Sequence, residues 1–214
     1  MPIRHVVVQG EGVDSIAFRY GFFPLTVWES ADNAALREKR ADRNILLAGD
    51  EVVIPDKVVK RVAAATGRRH VFRRRGVPAM FRLQLLAQGV PRAGIAWTLA
   101  VDGVEHRGTT DSNGMIEEFV PPNARHGILA IAGGEPMDLS FGYLDPIDTI
   151  LGVQQRLDNL GYACAESGVL DDATRAALAR FRQAAGLAET EGIDDATRSR
   201  LQELHDTPAL PPAP

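Results

Sequence analysis

The chain has 214 residues, of which 45% are hydrophobic and 24% are charged, and its formal net charge is −4. This composition is ordinary for a globular protein and excludes a fully disordered chain, while the single cysteine excludes a disulfide scaffold. No apolar stretch approaches the roughly 18 residues that a membrane-spanning helix needs, so no span is predicted.

The charge is unevenly distributed along the chain. Residues 146–214 contain six arginines and eleven acidic residues, a net charge of −5, whereas the rest of the chain is nearly neutral. Because phosphate recognition needs Lys and Arg, nucleic acid is not expected as a partner. No basic segment followed by an apolar run opens the sequence, so we expect synthesis in the cytoplasm without a standard signal peptide.

Residues 1–56 predict a strand, two helices and a second strand, a βααβ unit. His5 is followed by three β-branched valines, residues 6–8, and then by a turn that contains two glycines, and the apolar residues from 13 to 20 recur at helical spacing. A second helix is predicted after Pro24, with a break at Asp32-Asn33. The closing strand ends at Pro55.

Several short motifs in this unit together form one family pattern. They are Gly10-Glu11-Gly12, Ser15-Ile16-Ala17, Asn33 and Gly49-Asp50-Glu51-Val52-Val53-Ile54-Pro55. On these residues, segment 4–55 resembles a LysM module. The resemblance implies a shallow glycan groove between the first turn and the loop after helix two, with contacts at Gly10, Glu11, Gly12 and Asn33. The chain departs from the family pattern in its turn, which lacks the usual Asp-Thr, and in a longer connection after Asn33.

Residues 57–67 are predicted to form a linker, either strand-like or a short helix. The stretch from Arg68 to Arg75 that follows contains five arginines. Two interpretations stay open for it: a solvated strand or linker face, or a docking patch for an anionic partner.

Residues 68–145 predict a small all-β module. Residues 80–86 alternate between apolar and polar, and Asp102-Gly103 is a strong hairpin signal. Six or seven short strands separated by turns predict a β-sandwich, and the glycine and proline spacing resembles prealbumin-like or immunoglobulin-like spacer modules. The segment Asp111-Ser112-Asn113-Gly114, taken with Asp102, is compatible with calcium, but turn chemistry explains it and no metal site is predicted.

Residues 146–206 predict a three-helix bundle, and residues 207–214, which include four prolines, predict a frayed tail. The first helix is expected to begin with Asp145 or Asp148 as its cap. Residues 168–175 and 192–198 echo each other, and each copy places a glycine, an aliphatic residue, an aspartate cap and a threonine at nearly the same offsets. The predicted fold class is therefore α+β with several domains.

The C-terminal region also carries a family pattern. Its matching residues are Gln154, Leu157, Leu160-Gly161-Tyr162, Gly168, Asp171, Thr174, Ala177-Leu178, Phe181, Gly186-Leu187, Gly192, Thr197 and Leu201. Segment 147–204 is similar to the peptidoglycan-binding domain of the PG-binding-1 type. The resemblance implies contacts with glycan or stem peptide at Tyr162, Gly168, Thr174, Arg175 and Arg182, the last in place of the usual glutamine.

No catalytic or cofactor-binding motif is found, so neither enzymatic activity nor a cofactor is expected. The five histidines are scattered, and Cys164 lacks an evident activating base. Trp28 and Trp97 fit a core pattern better than a sugar-stacking role.

Two hypotheses follow. The first is a non-catalytic binder of peptidoglycan, bivalent through its LysM-like and three-helix modules, which acts at the cell envelope. The second is an adaptor whose modules bind a spike, tail or effector protein. It rests on the arrangement of the whole chain, which resembles proteins associated with type VI secretion and phage-tail-like contractile injection systems.

Overall fold

The computed structural model describes residues 2–58, 63–71, 79–87 and 89–206. Three separate hydrophobic cores lie within them. We call the surrounding regions the N-terminal unit (residues 2–58), the middle unit (residues 79–145) and the C-terminal unit (residues 146–206). The predicted tail and part of the predicted linker and arginine-rich segment lie outside the described residues.

The N-terminal unit has the predicted strand and helix order with one addition. Its elements are β1 (Ile3–Val6), α1 (Val13–Tyr20), α2 (Pro24–Trp28), a 3₁₀ turn (Ala31–Asn33), α3 (Ala34–Lys39) and β2 (Glu51–Ile54). The two strands pair antiparallel, with Ile3 opposite Ile54. The helices bury Ile16, Ala17 and Val27 against β2. Helix α3 was not predicted, because its alanine-rich, charged sequence carries little apolar periodicity.

The middle unit is all-β. Its strands are β3 (Ala79–Gln84), β4 (Leu86–Ala87), β5 (Val90–Pro91), β6 (Ala96–Val101), β7 (Val104–Thr109), β8 (Met115–Val120), β9 (His126–Ile131) and β10 (Met137–Ser140). They form a four-stranded sheet in the order β10-β9-β6-β7, together with the pairs β3-β8 and β4-β5. The larger sheet and the β3-β8 pair share one core.

Three predictions in this unit are confirmed locally. Asp102 and Gly103 join β6 to β7 with φ values of 49° and 78°, the left-handed conformation that a tight hairpin needs. Asp111 accepts hydrogen bonds from the N–H groups of Asn113 and Met115, both at 2.8 Å, so its carboxylate organises a turn. Trp97 is 7% exposed and lies in the core.

The C-terminal unit packs α4 (Ile150–Asn159), α5 (Asp172–Ala185) and α6 (Asp195–His205) around Leu157, Phe181 and Leu201. The aspartate caps predicted from the sequence echo are present on α5 and α6. The predicted cap of α4 is wrong. Thr149 caps that helix, because its hydroxyl accepts the N–H of Gly152 at 2.9 Å. None of the described helices combines the length and the apolarity that a membrane crossing requires.

Candidate functional site

Glu11, a predicted glycan contact, is buried at 2% exposure and is fully engaged inside the N-terminal unit. Its Oε2 lies 2.7 Å from His5 Nε2 and accepts the N–H of Val8 at 3.2 Å, and its Oε1 lies 2.7 Å from a guanidinium nitrogen of Arg19. Burial alone raises the pKa of this carboxyl, but these hydrogen bonds and positive charges outweigh it and bring the pKa below its ordinary value. The carboxylate therefore stabilises the first turn.

The two glycines of that turn are required by close packing. A Cβ on Gly12 would stand 2.7 Å from the Cα of Asn44. A Cβ on Gly10 would stand 3.1 Å from an Arg125 nitrogen and 3.2 Å from the Tyr143 ring, and both residues belong to the middle unit. The structure thus places this turn against a neighbouring unit.

Asn33, the fourth predicted contact of the N-terminal unit, is 1% exposed. Its amide nitrogen donates to the carbonyls of Val27 and Val53, and its amide oxygen accepts the N–H of Val53, each at 2.8 Å. The side chain therefore completes the hydrogen bonding of β2 where no strand covers it.

Two of the predicted ligand residues in the C-terminal unit are also buried. Thr174 is 0% exposed. Its hydroxyl donates to Asp171 Oδ1 at 2.7 Å and accepts from Gln154 Nε2 at 2.8 Å. The bonds from the Thr174 hydroxyl and N–H lower the pKa of Asp171.

Arg182, further along α5, makes a separate set of hydrogen bonds. It is 4% exposed and donates to the Thr197 hydroxyl at 3.0 Å and to the carbonyls of Thr190 and Gly192. Thr174 and Arg182 therefore join the helices to the loops that precede α5 and α6.

The remaining three candidates reach the surface. Tyr162 is half-buried, with its ring edge-on to Phe181 at 5.5 Å between centroids. Gly168 is exposed in the loop before α5, and its N–H donates to Gln154 Oε1 at 2.8 Å. Arg175 is exposed in the first turns of α5 and reaches the Glu191 carbonyl at 3.4 Å. These residues lie on α5 or on the loops immediately before it.

This region is the one that matches a known family. Residues 148–201 match the family model described as "Putative peptidoglycan binding domain". The match spans α4, α5 and most of α6, and it supports peptidoglycan binding and association with the cell wall. The search of curated proteins gave no match to the chain, and neither did the search of solved structures.

The sequence marks Gln154 only as part of the family pattern and does not single out Gln155 or Arg156. Gln154, Gln155 and Arg156 are all buried, and Arg156 donates to Asp206 and to the carbonyls of Asp145 and Gly152. The sequence feature that could have revealed them is a run of three consecutive polar residues inside a helix whose apolar face is also buried. Three such residues cannot all face solvent on a helix that is packed on two sides.

The described residues contain no cluster of three or more His, Cys, Asp or Glu side chains suited to a metal ion. Cys164 is half-buried beside the Gln154 carbonyl, and burial, followed by the nearby Asp158 and Asp171 charges, raises the pKa of its thiol. A raised pKa disfavours the thiolate that nucleophilic catalysis requires.

Proposed function

We propose that this chain is a non-catalytic peptidoglycan-binding protein that contacts the cell wall through its C-terminal unit. The observation that supports this most directly is the family match over residues 148–201. The acidic character of the unit is compatible with a glycan or stem-peptide ligand, since recognition of such ligands does not depend on phosphate charge.

We place the contact surface on the side of the unit that carries Tyr162, Gly168 and Arg175. These predicted residues offer an aromatic edge, an accessible backbone and a guanidinium. An exposed guanidinium fits a carboxylate-bearing stem peptide, and an aromatic side chain fits an apolar sugar face. Thr174 and Arg182, which are buried, would fix the loops that present this surface.

A bivalent mode, in which the LysM-like N-terminal unit adds a second glycan site, is part of the same proposal. Its predicted contacts Gly10, Glu11, Gly12 and Asn33 are all buried. A second site would therefore use other groups of the N-terminal unit, and its contribution would appear as binding that survives loss of the C-terminal surface.

The test is co-sedimentation of the full chain with purified sacculi. The Arg175→Ala variant is expected to lower the apparent affinity by about tenfold or more, because one hydrogen bond to a charged group contributes about 1.5–3 kcal/mol. Arg200→Ala is the matched control, because Arg200 lies on α6 and pairs with Glu203 on the same helix. Equal binding by the two variants would contradict the placement, and no pelleting of the parent chain would contradict the function.

Point variants are better than deletion of residues 146–206. Gln155 and Arg156 supply hydrogen bonds to Tyr143 and Asp145 of the middle unit, so the deletion would also disturb that unit. A loss of binding after deletion would then have two explanations.

A second candidate function is an adaptor of a type VI secretion or phage-tail-like contractile injection system, in which the units bind protein. The observation that favours it is the apolar surface of the N-terminal unit, where Val8, Phe23 and Leu25 are each at least 50% exposed. Large apolar side chains that remain exposed are candidates for protein contacts. A pulldown with the full chain that recovers a spike, tail or effector component, and loses it with Phe23→Ser, would support this function. Recovery of no such component would contradict it.

A further inference from the structure

Two residues at the end of the middle unit, Tyr143 and Asp145, contact both neighbouring units. The carbonyl of Tyr143 accepts hydrogen bonds from Gln155 Nε2 at 2.9 Å and from Gln9 Nε2 at 3.4 Å. Gln9 belongs to the N-terminal unit and Gln155 to the C-terminal unit. We call residues 143–145 the strut.

Asp145 is the most heavily engaged residue of the strut and is 3% exposed. Its N–H donates to Gln155 Oε1 at 2.7 Å, its carbonyl accepts from Arg156 at 2.9 Å, and its carboxylate accepts from Gln9 Nε2 at 3.1 Å. Its backbone is therefore committed to the C-terminal unit and its side chain to the N-terminal unit.

Glycines let the backbones approach closely at both sides of the strut. A Cβ on Gly142 would stand 2.6 Å from the Gly10 carbonyl oxygen, and a Cβ on Gly152 would stand 2.6 Å from the Asp145 carbonyl oxygen. Gly142 also has a φ of 77°, which L side chains rarely adopt. A larger residue at Gly142 would push the middle unit away from the N-terminal unit, and one at Gly152 would also clash with the Pro146 carbonyl oxygen.

We propose that the strut is a fixed joint that holds the N-terminal and C-terminal units in one orientation relative to the middle unit. Units joined in series are expected to move relative to each other unless their shared interface prevents it. Here the crossing contacts end on a buried aspartate, and a buried hydrogen-bond acceptor that loses its donor costs free energy. This inference goes beyond the proposed function and does not depend on peptidoglycan.

The experiment measures the distance between spin labels on the two outer units of the full chain. Ala35→Cys on α3 and Ala179→Cys on α5 are exposed labelling positions, and Cys164→Ser removes the native thiol. A fixed joint gives a single narrow distance distribution in this parent. A broad distribution in the parent would overturn the proposal, whatever its binding to sacculi.

Two further variants test whether the strut is responsible. Gly142→Ala introduces the clash with Gly10, and Gly133→Ala is its matched control, because Gly133 has a similar φ of 76° with no atom within 4 Å of its added Cβ. We expect Gly142→Ala to widen the distribution about twofold or more, as for units released from a common interface, and Gly133→Ala to leave it narrow.

Gln9→Ala keeps the proposal testable if Gly142→Ala fails to fold, which the fluorescence of Trp97 in the core of the middle unit would reveal. It removes both side-chain hydrogen bonds from the N-terminal unit to the strut without adding strain. A wider distribution supports the joint. An unchanged narrow distribution in Gln9→Ala and in folded Gly142→Ala would overturn it.

Discussion

The N-terminal and C-terminal units use their predicted ligand residues differently. In the N-terminal unit, Gly10, Glu11, Gly12 and Asn33 all lie inside the structure, where they brace a turn, permit close packing or complete a strand. In the C-terminal unit only Thr174 and Arg182 are buried, and the other three candidates reach the surface. Residues of a family motif can thus be kept for the local structure of a turn, and only the exposed ones can contact a ligand.

Asp50 and Arg182, one in each unit, are buried charged groups with different kinds of partner. The Asp50 carboxylate of the N-terminal unit accepts from buried Arg40 at 2.7 Å and from Lys39 at 2.7 Å. Arg182 of the C-terminal unit donates only to uncharged oxygens in the described structure. A carboxylate is protonated in acid, whereas a guanidinium keeps its charge. The contribution of Asp50 to stability therefore depends on pH, and that of Arg182 does not.

The largest expected effect is that of Asp50→Ala. Arg40 is 4% exposed, and the change removes the carboxylate at 2.7 Å while the more distant Asp148 carboxylate at 3.7 Å remains, so we expect the free energy of unfolding of the N-terminal unit to fall by about 3–5 kcal/mol. Glu51→Ala is the control, because its ion pair with Arg4 is exposed and its loss costs no more than about 0.5 kcal/mol. Chemical denaturation measures both, and similar losses would show that the Asp50 pair is not buried in solution.

A smaller loss is expected from Asn33→Ala. The change leaves the N–H and carbonyl of Val53 without their partner, which costs about 2–3 kcal/mol, whereas Thr174→Ala costs about 1 kcal/mol because Gln154 keeps other acceptors. Denaturation curves of the two variants give the difference. If Asn33 contacts glycan, the fraction of Asn33→Ala that pellets with sacculi would fall by more than the fraction of the variant that is folded.

Low pH should also lower the stability of the N-terminal unit, through protonation of Asp50. Burial alone raises the pKa of Asp50, but the bonds from Arg40, Lys39 and the Leu47 N–H outweigh it and lower the pKa from 3.8 to about 2. A lowered pKa in the folded state gives stability that is present above pH 4 and is lost as the pH falls towards 2. The unfolding midpoint of the unit should therefore drop over this range, and Asp50→Asn should show a shallower dependence. Parallel curves for parent and variant would assign the acid sensitivity to other groups.

The smallest expected effect is at the cap of α4. Thr149→Ala removes the acceptor for the Gly152 N–H, which costs about 1 kcal/mol, and Thr149→Ser retains it. Thermal unfolding of the two variants measures the difference. Equal midpoints would mean that water replaces the hydroxyl without loss.

Much of the fold could be predicted from local patterns. The two strands and first two helices of the N-terminal unit, the Asp102-Gly103 hairpin and the aspartate caps of α5 and α6 depend on residues close in sequence. Helix α3 and the Thr149 cap escaped prediction because weak periodicity and several neighbouring cap candidates leave such choices to tertiary packing.

The candidate site was harder to predict than the fold. The sequence indicated which residues belong to a motif, but the side to which each side chain points depends on partners far along the chain. Asn33 is buried because Val53 needs its amide, and Gly10 is buried because Tyr143 lies against it. No local pattern contains these long-range pairs.

The positions of Trp28 and Trp97 have a spectroscopic consequence. They are the two tryptophans of the chain; Trp28 packs against the core of the N-terminal unit, and Trp97 is buried in that of the middle unit. In the described structure the Trp97 indole nitrogen has no hydrogen-bond partner, an environment that shifts emission to the blue. Intrinsic tryptophan fluorescence will therefore report the unfolding of these two units, while independent unfolding of the C-terminal unit will be visible only through Tyr162 or helical circular dichroism.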